Sequence, residues 1–480
     1  MAIATAASAA EAPGTTDWYA ILTERGTQIG HASHEVSADG TTITDDQVID
    51  VEDEESPSTP LAWRTGPRVK TMSWHTVQQL DAGGRTVSIT STMQSGNDWS
   101  RSVALIENGS ARVTRTTPSE SRSMTVALPA SIRFDSGDSL LAAWDPATTP
   151  RLEFDSFNND SMGVERVVIQ PLAGGGPDAD GRITVLREHF EGEDLRAVTR
   201  LVLDRAHRIV EVDQPMFGSS LVTKLTDKHT ALGANWAFHV MASVTTKSPY
   251  HVSLAAMQGH IRYRFSFRDG LAFPLPQTSE QRVTTEPGFA TLDICGDCGP
   301  GLPTDRTALD NALRPTAWLQ SDSPKIREIT APIAAQAVSD TRKMELLLEK
   351  AEPLLGRVDF AGHYSALETI SRHAANCTDA AVLLAALGRA AGIPTRVASG
   401  LVYSRESYHG VANVFTPHSW TLAYVDGKWR SFDLALDNFD ATHIALTIGD
   451  GDERSVFAAS QLAGLLHWES MAEVRSQPAK

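Results

Sequence analysis

The stretch NCTDAAVLLAALGRAAGIPTRV, residues 376–397, decides how the C-terminal part of the chain folds. Its middle is rich in Ala and Leu, which predicts a buried helix. Gly392 and Pro394 end that helix, and the residues after them are typical of a strand. Asn376 can cap the first helical turn. The sequence therefore places a cysteine, Cys377, at the start of a rigid helix.

A thiol at a helix start feels the partial positive charge of unpaired backbone N–H groups. That charge favours the thiolate and is expected to lower the pKa of Cys377. A single cysteine is, however, more often a small buried apolar side chain than a nucleophile. The catalytic interpretation therefore needs a nearby base.

The segment HSWTLAYVDGKWRSFDLALD, residues 418–437, supplies a base. Asp426-Gly427 is a strong signal for a two-residue hairpin turn. The register that this turn sets places His418 and Asp433 on one face as diagonal neighbours, ~7–8 Å apart and within side-chain reach. A carboxylate so placed can hold an imidazole in one tautomer and stabilise its charged form. Taken singly, the histidine could be a half-buried sheet residue and the aspartate a solvated residue or turn cap.

Together these segments resemble the transglutaminase-like superfamily, whose fold is related to that of papain-like cysteine proteases. CTDAAVLLAALGRAAGIPTRVASGLVY, HSWTLAYVDGKW, SFDLAL and DATHIAL carry the resemblance, which covers roughly residues 316–450 and is closest to bacterial transglutaminase-like cysteine proteases. It implies that Cys377 is the nucleophile, His418 the general base and acid, and Asp433 the orienting acid. Many bacterial relatives carry an acidic residue before the cysteine, where this chain has Asn376.

Other residues could assist this chemistry. The Cys377 backbone N–H is the natural first oxyanion donor. Trp420 is a possible second donor, Trp429 is more typical of core packing, and Asn376 could contribute to oxyanion or substrate binding. Weaker histidine candidates are His373, His409 and His443, the last expected to be structural. A metal site made of Cys377 with His373, His409 and His418 is disfavoured, because no two of them have a diagnostic metal-binding spacing on one hairpin. We therefore predict no metal and no cofactor.

The predicted fold class is α+β. Residues 17–300 read as an antiparallel β-rich region, a sheet or sandwich, with a possible subdomain boundary near 171–181. Residues 316–460 form the predicted transglutaminase-like domain, and residues 461–480 a tail or short helix. Residues 1–16 are expected to be a disordered Ala-rich tail or the remnant of an export signal.

Composition limits the possible partners. The net charge of −17 argues against nucleic acid, and no apolar run approaches the ~18 residues that a membrane span needs. Cys295 and Cys298 suggest a local disulfide or two spare thiols in a loop. A disulfide would support a periplasmic or extracellular location, with a cytoplasmic one as the alternative.

The sequence thus predicts a peptidase or amidase that acts on a peptide or protein through a thioester on Cys377. The polar loop 403–418 before the histidine suggests an open site, which favours water as the acceptor. One alternative is an acyltransferase with an amine acceptor. A second alternative is a β-rich binding or scaffold protein with an inactive transglutaminase-like domain. The oligomeric state is left open.

Overall fold

The computed structural model describes residues 13–53, 68–96, 98–118, 120–159, 161–172, 176–216, 219–238, 245–358, 363–405, 412–436 and 438–474. These residues divide into two compact units, one ending at residue 238 and the other beginning at residue 245. No helix within these ranges is both long and apolar enough to cross a membrane.

The first unit is one antiparallel sheet of fourteen strands. The first strand pairs with the last, so strands 1–8 run outward from the centre on one side and strands 14–9 on the other. Two one-turn helices, α1 (Asp138–Leu141) and α2 (Lys228–Ala231), accompany it. The strands are β1 Thr16–Thr23, β2 Gln28–Val36, β3 Thr42–Asp53, β4 Arg68–Leu80, β5 Thr86–Ser95, β6 Asp98–Glu107, β7 Ser110–Thr116, β8 Ser121–Ala127, β9 Leu152–Asn158, β10 Gly163–Pro171, β11 Ile183–Glu191, β12 Asp194–Leu203, β13 Ile209–Met216 and β14 Ser219–Thr226.

Tight turns and strand alternation build this sheet. Between β6 and β7 the turn residues Asn108 and Gly109 both have positive φ, as a two-residue hairpin of the favoured hand requires. Buried Ile89 and Val113, from the first half of the sheet, pack in one cluster with Phe157 of β9. The sheet therefore curves back towards its own far edge.

The predicted subdomain boundary near 171–181 falls inside this sheet. β10 and β11 pair directly, from Arg166 opposite Phe190 to Pro171 opposite Val185. Because the segment after Pro171 joins two adjacent strands, it connects a hairpin and separates no subdomains.

The second unit mixes helices with three small sheets, in the orders β15-β22-β21-β24 with β23 on β22, β17-β18-β16-β25, and β19-β20. Its strands are β15 Thr246–Lys247, β16 Ile261–Phe267, β17 Gln281–Glu286, β18 Phe289–Ile294, β19 Arg357–Val358, β20 Ala374–Ala375, β21 Thr395–Ser404, β22 Val414–Val425, β23 Lys428–Phe432, β24 Ile444–Gly449 and β25 Leu466–Glu473. Its helices are α3 Leu254–Met257, α4 Arg306–Asn311, α5 Pro324–Ala334, α6 Asp340–Leu355, α7 Ala366–Arg372, α8 Cys377–Ala390 and α9 Glu453–Gly464.

Helix α8 is the centre of this unit. Every residue from Thr378 to Arg389 is buried, as its Ala- and Leu-rich sequence predicts. The same apolar cluster includes residues of α5, α6, α7, β21 and β22. Small side chains let the sheet and the other helices approach α8 closely. The α+β fold class, with a large N-terminal antiparallel sheet, is therefore confirmed.

Two segments differ from their prediction. Residues 245–300, assigned from sequence to the β-rich region, lie in the second unit because β16 pairs with β25 near the C-terminus, from Ile261 opposite Glu473 to Phe267 opposite Leu466. Residues 466–473, expected to be a tail or short helix, form that partner strand. A pairing over some 200 residues leaves no local signal in the sequence.

Gly400 offers a test of how tightly this sheet is packed. It lies in β21, opposite His418 on β22 and Ala445 on β24. A β-carbon at position 400 would overlap the backbone carbonyl oxygen of Ile444. We expect Gly400→Ala to push β24 outward and to lower the free energy of unfolding by about 1–3 kcal/mol.

Urea denaturation checks this expectation. Gly296→Ala is the matched control, since a β-carbon there meets no atom within 4 Å. Equal stability of the two variants would contradict the close packing of β21 on β24.

Candidate active site

The start of α8 is a closed hydrogen-bonded cap. Asn376 Oδ1 accepts the backbone N–H groups of Thr378 (2.9 Å) and Asp379 (3.1 Å), and the Asp379 carboxylate accepts the backbone N–H of Asn376 (3.0 Å). Cys377 is the first residue of the helix and is half-buried. This reciprocal cap fixes the position of the thiol. It uses the carbonyl oxygen of the Asn376 side chain, and the prediction that this residue contributes to oxyanion or substrate binding stays a prediction.

Hydroxyl groups join this helix start to the sheet. Thr378 Oγ1 and Ser419 Oγ hydrogen-bond each other at 3.2 Å, and Ser419 Oγ lies 2.8 Å from Ser399 Oγ. All three side chains are buried. Since Thr378 follows Cys377 and Ser419 follows His418, this contact holds the start of α8 against the part of β22 that carries His418.

The hairpin that carries the imidazole has the predicted register. Turn residues 426–427 have φ values of 49° and 83°, and pairing extends from the turn to Thr421 opposite Phe432. Asp433 is the first residue after β23. Its carboxylate is therefore placed beside His418, which lies farther along β22.

His418 and Asp433 form a buried ion pair. His418 Nε2 lies 2.6 Å from Asp433 Oδ2, and the two residues are 2% and 1% exposed. Burial alone would lower the pKa of His418. The charge and hydrogen bond of Asp433, together with the contact of Cys377, outweigh burial and raise that pKa to about 10. The imidazole is consequently protonated at neutral pH.

Cys377 is the second group that acts on this imidazole. It lies close enough to His418 to help raise the pKa of the imidazole. Asp433 contacts Nε2 of the same ring. The structure thus brings together the three residues that the sequence singled out, in the order thiol, imidazole, carboxylate.

Four donors surround the Asp433 carboxylate. Oδ1 accepts the backbone N–H groups of Ala435 (2.8 Å) and Leu436 (3.1 Å). Oδ2 faces His418 and, at 3.0 Å, Nε2 of His443. Burial raises the pKa of Asp433, but the charge of His418 and the two imidazole hydrogen bonds hold it well below its usual range.

His443 is the member of this cluster that sequence reasoning treated as structural. It is 1% exposed and lies directly before β24. Burial lowers the pKa of His443, but its hydrogen bonds to Asp433 and Asp440 raise it above the usual value. In the sequence, His443 is visible only as the histidine of DATHIAL, ten residues after Asp433. No local rule of secondary structure predicts that residues at this spacing meet.

The three side chains His418, Asp433 and His443 are close enough for a metal ion to be considered, with one ligand atom of each within 4.8 Å of the others. Tetrahedral zinc with bonds of about 2.0–2.1 Å separates its ligand atoms by about 3.3 Å. The 2.6 Å separation between His418 and Asp433 is instead a hydrogen-bond distance. The cluster therefore fits proton sharing better than metal binding.

The remaining candidates take other positions. The Trp420 indole N–H donates to Ser431 Oγ (3.2 Å), while its ring stacks beside His418. The Trp429 N–H donates to the Pro303 carbonyl oxygen (3.2 Å), which fits its predicted packing role. His373 is exposed at the C-terminal cap of α7. His409 lies outside the described residues.

Cys295 and Cys298 are joined by a disulfide, one of the two states that the sequence left open. Asp297, between them, pairs with Lys428 Nζ at 2.7 Å. The bridge closes a four-residue loop beside the turn of the β22–β23 hairpin.

The buried pair predicts how stability depends on pH. The pKa of His418 is about 10 in the folded chain against an ordinary 6.5, so its contribution is complete below pH 6.5 and is lost as pH rises towards 10. The pKa of Asp433 is below its ordinary 3.8, so its contribution is present above pH 3.8 and is lost in stronger acid. We expect Asp433→Asn to destabilise the chain most between these limits, and less at pH 9.5.

Urea unfolding of the wild type and the variant at about pH 5.5 and pH 9.5 measures this difference. Asp426→Asn, at the exposed hairpin turn, is the matched control and should behave alike at both values. A destabilisation by Asp433→Asn that is equal at both values would contradict the ion pair.

Comparison with known protein families supports the resemblance that the sequence predicted for the C-terminal third of the chain. Residues 328–434 match the model of the transglutaminase-like superfamily. No curated protein matches the chain at a significant level.

Three solved structures show weak similarity. A candidate cysteine protease from Cytophaga hutchinsonii is 17% identical, with 46% of this chain and 91% of that chain covered and a TM-score of 0.28. A protein of a domain family of unknown function from Brucella abortus is 15% identical, covering 45% and 97% with a TM-score of 0.32. A candidate protease from Parabacteroides distasonis is 11% identical, covering 73% and 64% with a TM-score of 0.19.

TM-scores this low support no conclusion about fold or activity. The family match does not depend on them, and it spans Cys377, His418 and Asp433. The part of the chain that carries these three residues therefore matches the transglutaminase-like superfamily.

Proposed function

We propose that the chain is a thiol-dependent peptidase or amidase that cleaves an amide bond through a thioester on Cys377. The observation that carries this proposal is the contiguous contact from the Cys377 thiol through the His418 imidazole to the buried Asp433 carboxylate. The transglutaminase-like match supports a thiol-dependent enzyme in general.

The resting state of this site is a thiolate paired with an imidazolium. Asp433 favours the proton on His418, and the N-terminus of α8 favours negative charge on the sulfur of Cys377. A thiolate is the reactive form of cysteine. The pair therefore holds both the nucleophile and the proton that the leaving group needs.

In the first half-reaction the thiolate sulfur attacks the amide carbonyl carbon, and a C–S bond forms while the carbonyl oxygen becomes negative. The C–N bond then breaks as His418 gives its proton to the departing amine. The products are a thioester on Cys377 and a free amine. The backbone N–H of Cys377, in the first helical turn, would donate to the oxyanion.

In the second half-reaction the neutral His418 takes a proton from water, and the resulting hydroxide attacks the thioester. The C–S bond breaks, the acid leaves, and the thiolate and imidazolium are restored. Asp433 keeps the imidazole oriented in both directions of proton transfer.

We propose water as the acceptor and a peptide or protein as the substrate. The polar loop 403–418 before His418 was the sequence argument for water, and residues 406–411 of it lie outside the described residues. The Cys295–Cys298 disulfide supports a periplasmic or extracellular location.

Labelling with a fluorescent peptidyl acyloxymethyl ketone tests the nucleophile. We expect the wild type to gain one label on Cys377, Cys377→Ala to gain none, and Asp433→Asn to react about 10²–10⁴ times more slowly because its histidine is misoriented. Arg306→Gln, at an exposed helical position, is the control and should label at the wild-type rate. Labelling of Cys377→Ala would overturn the thiol mechanism.

The acceptor is tested separately, with a fluorescent peptide library offered with and without a millimolar primary amine. Free acid in both reactions would support hydrolysis. Amine-linked product formed faster than free acid would instead indicate an acyltransferase. The proposed roles of Cys377 and His418 would be unchanged, because both reactions pass through the same thioester.

A further inference from the structure

We propose that His443 is a positioning residue of this site: it shares one oxygen of Asp433 with His418 and thereby limits how tightly the carboxylate holds the proton of His418. This inference rests on the proposed function and adds a fourth side chain to it. Because the two ring nitrogens of His443 face Asp433 and Asp440, it would act through Asp433 and need not touch the substrate.

The two imidazoles meet at a single atom. Nε2 of His418 lies 2.6 Å and Nε2 of His443 lies 3.0 Å from Oδ2 of Asp433. Their ring centroids are 5.6 Å apart and the rings are inclined by 72°. Each ring can therefore direct its N–H at the same oxygen without a clash.

The Asp433 carboxylate can only accept a hydrogen bond, so it favours a proton on Nε2 of His443. On the far side of the ring, Nδ1 lies 3.2 Å from the carbonyl oxygen of Asp440. The backbone N–H of Asp440 donates to His443 Nδ1 at 3.2 Å. A neutral ring that accepts there has its proton on Nε2, where it donates to Asp433. The Asp440 carboxylate, which Thr442 N–H holds at 2.8 Å, also lies 3.2 Å from Nδ1 and can accept from a charged ring.

Aromatic rings close the pocket around His443. Trp420 meets it edge-on with centroids 5.1 Å apart, and Phe439 lies at 5.0 Å. The imidazole is thereby confined to the orientation in which both of its nitrogens have partners.

Several charged and titratable groups face His418 and His443. His443 faces Asp433 and Asp440, His418 faces Asp433 and Cys377, and the Tyr263 hydroxyl donates to Ala441 next to Asp440. A neutral His443 withdraws electron density from Asp433 by its hydrogen bond, and a charged one also repels the proton on His418. In both states, loss of His443 strengthens the hold of Asp433 on that proton.

Loss of His443 should leave the carboxylate in place. Asp433 Oδ1 is held by the backbone N–H groups of Ala435 and Leu436, and these bonds do not depend on the residue at position 443. The expected change is therefore in the proton affinity of His418.

Two amide variants separate this effect from simple packing. The amide nitrogen of His443→Gln is as many bonds from the backbone as Nε2 and can donate to Asp433. The amide nitrogen of His443→Asn reaches only as far as Nδ1 and cannot. The readout is the rate at which iodoacetamide alkylates Cys377 across the pH range, followed by mass spectrometry of the peptide that contains it.

In the wild type this profile should have two inflections, the upper one reporting loss of the proton of the thiolate–imidazolium pair. We expect His443→Asn to move the upper inflection upward by about one pH unit and His443→Gln to leave it near the wild-type position. An unmoved or lowered inflection in His443→Asn, or equal shifts in both variants, would overturn the inference.

Failure of the proposed function is distinguishable, because a wild-type profile with one inflection near the pKa of an ordinary thiol would mean that no ion pair exists. Nitrogen-15 NMR of histidine-labelled wild type gives a second test that does not require the variants to fold. A His443 ring without a proton on Nε2 at neutral pH would contradict the inference, and a protonated Nε2 would support it.

Discussion

The buried charge of Asp433 is the constraint on which the rest of the site depends. Removing a carboxylate from water costs several kcal/mol unless donors replace its hydration. In this chain the replacement is complete, with two backbone N–H groups on one oxygen and two imidazoles on the other. The donors come from the turn after β23, from β22 and from the residue before β24, so satisfying one charge fixes three segments relative to one another.

A second buried carboxylate lies in the first turn of α8, two residues after Cys377. Asp379 is fully buried and accepts the backbone N–H groups of Asn376 and Tyr364. Burial raises the pKa of Asp379 well above its usual range despite these bonds, whereas Asp433, which faces imidazoles, has its pKa lowered. The difference follows from the partners. Asp379 accepts amide N–H groups and lies 4.0 Å from the imidazole of His363, whereas Asp433 lies 2.6 Å and 3.0 Å from two imidazoles, each of which can carry a full charge. Asp433 can therefore hold a proton on its neighbour, while Asp379 mainly ties the helix start to the chain before it.

The parts of this site that the sequence predicted are those that local rules control. Cap residues and an Ala- and Leu-rich run define α8, and a two-residue turn fixes the hairpin register that brings Asp433 towards His418. The position of His443 could not be predicted in this way. It depends on how β24 packs against β21, where a β-carbon at position 400 would overlap the carbonyl oxygen of Ile444. The pairing of β16 with β25 was missed for the same reason, since its partners are some 200 residues apart.

The proton transfers of the proposed reaction explain why one carboxylate would serve two imidazoles. A histidine that only stabilised a thiolate would gain from the tightest possible hold on its proton. The proposed reaction asks more of His418, which must give that proton to the leaving amine and then take another from water. A pKa raised to about 10 favours the resting pair but opposes each release of the proton. Competition from a second donor at the same oxygen lowers that barrier without moving the carboxylate, because the backbone holds its other oxygen. In this proposal, His443 lets the single imidazole of His418 both keep its proton in the resting pair and release it during the reaction.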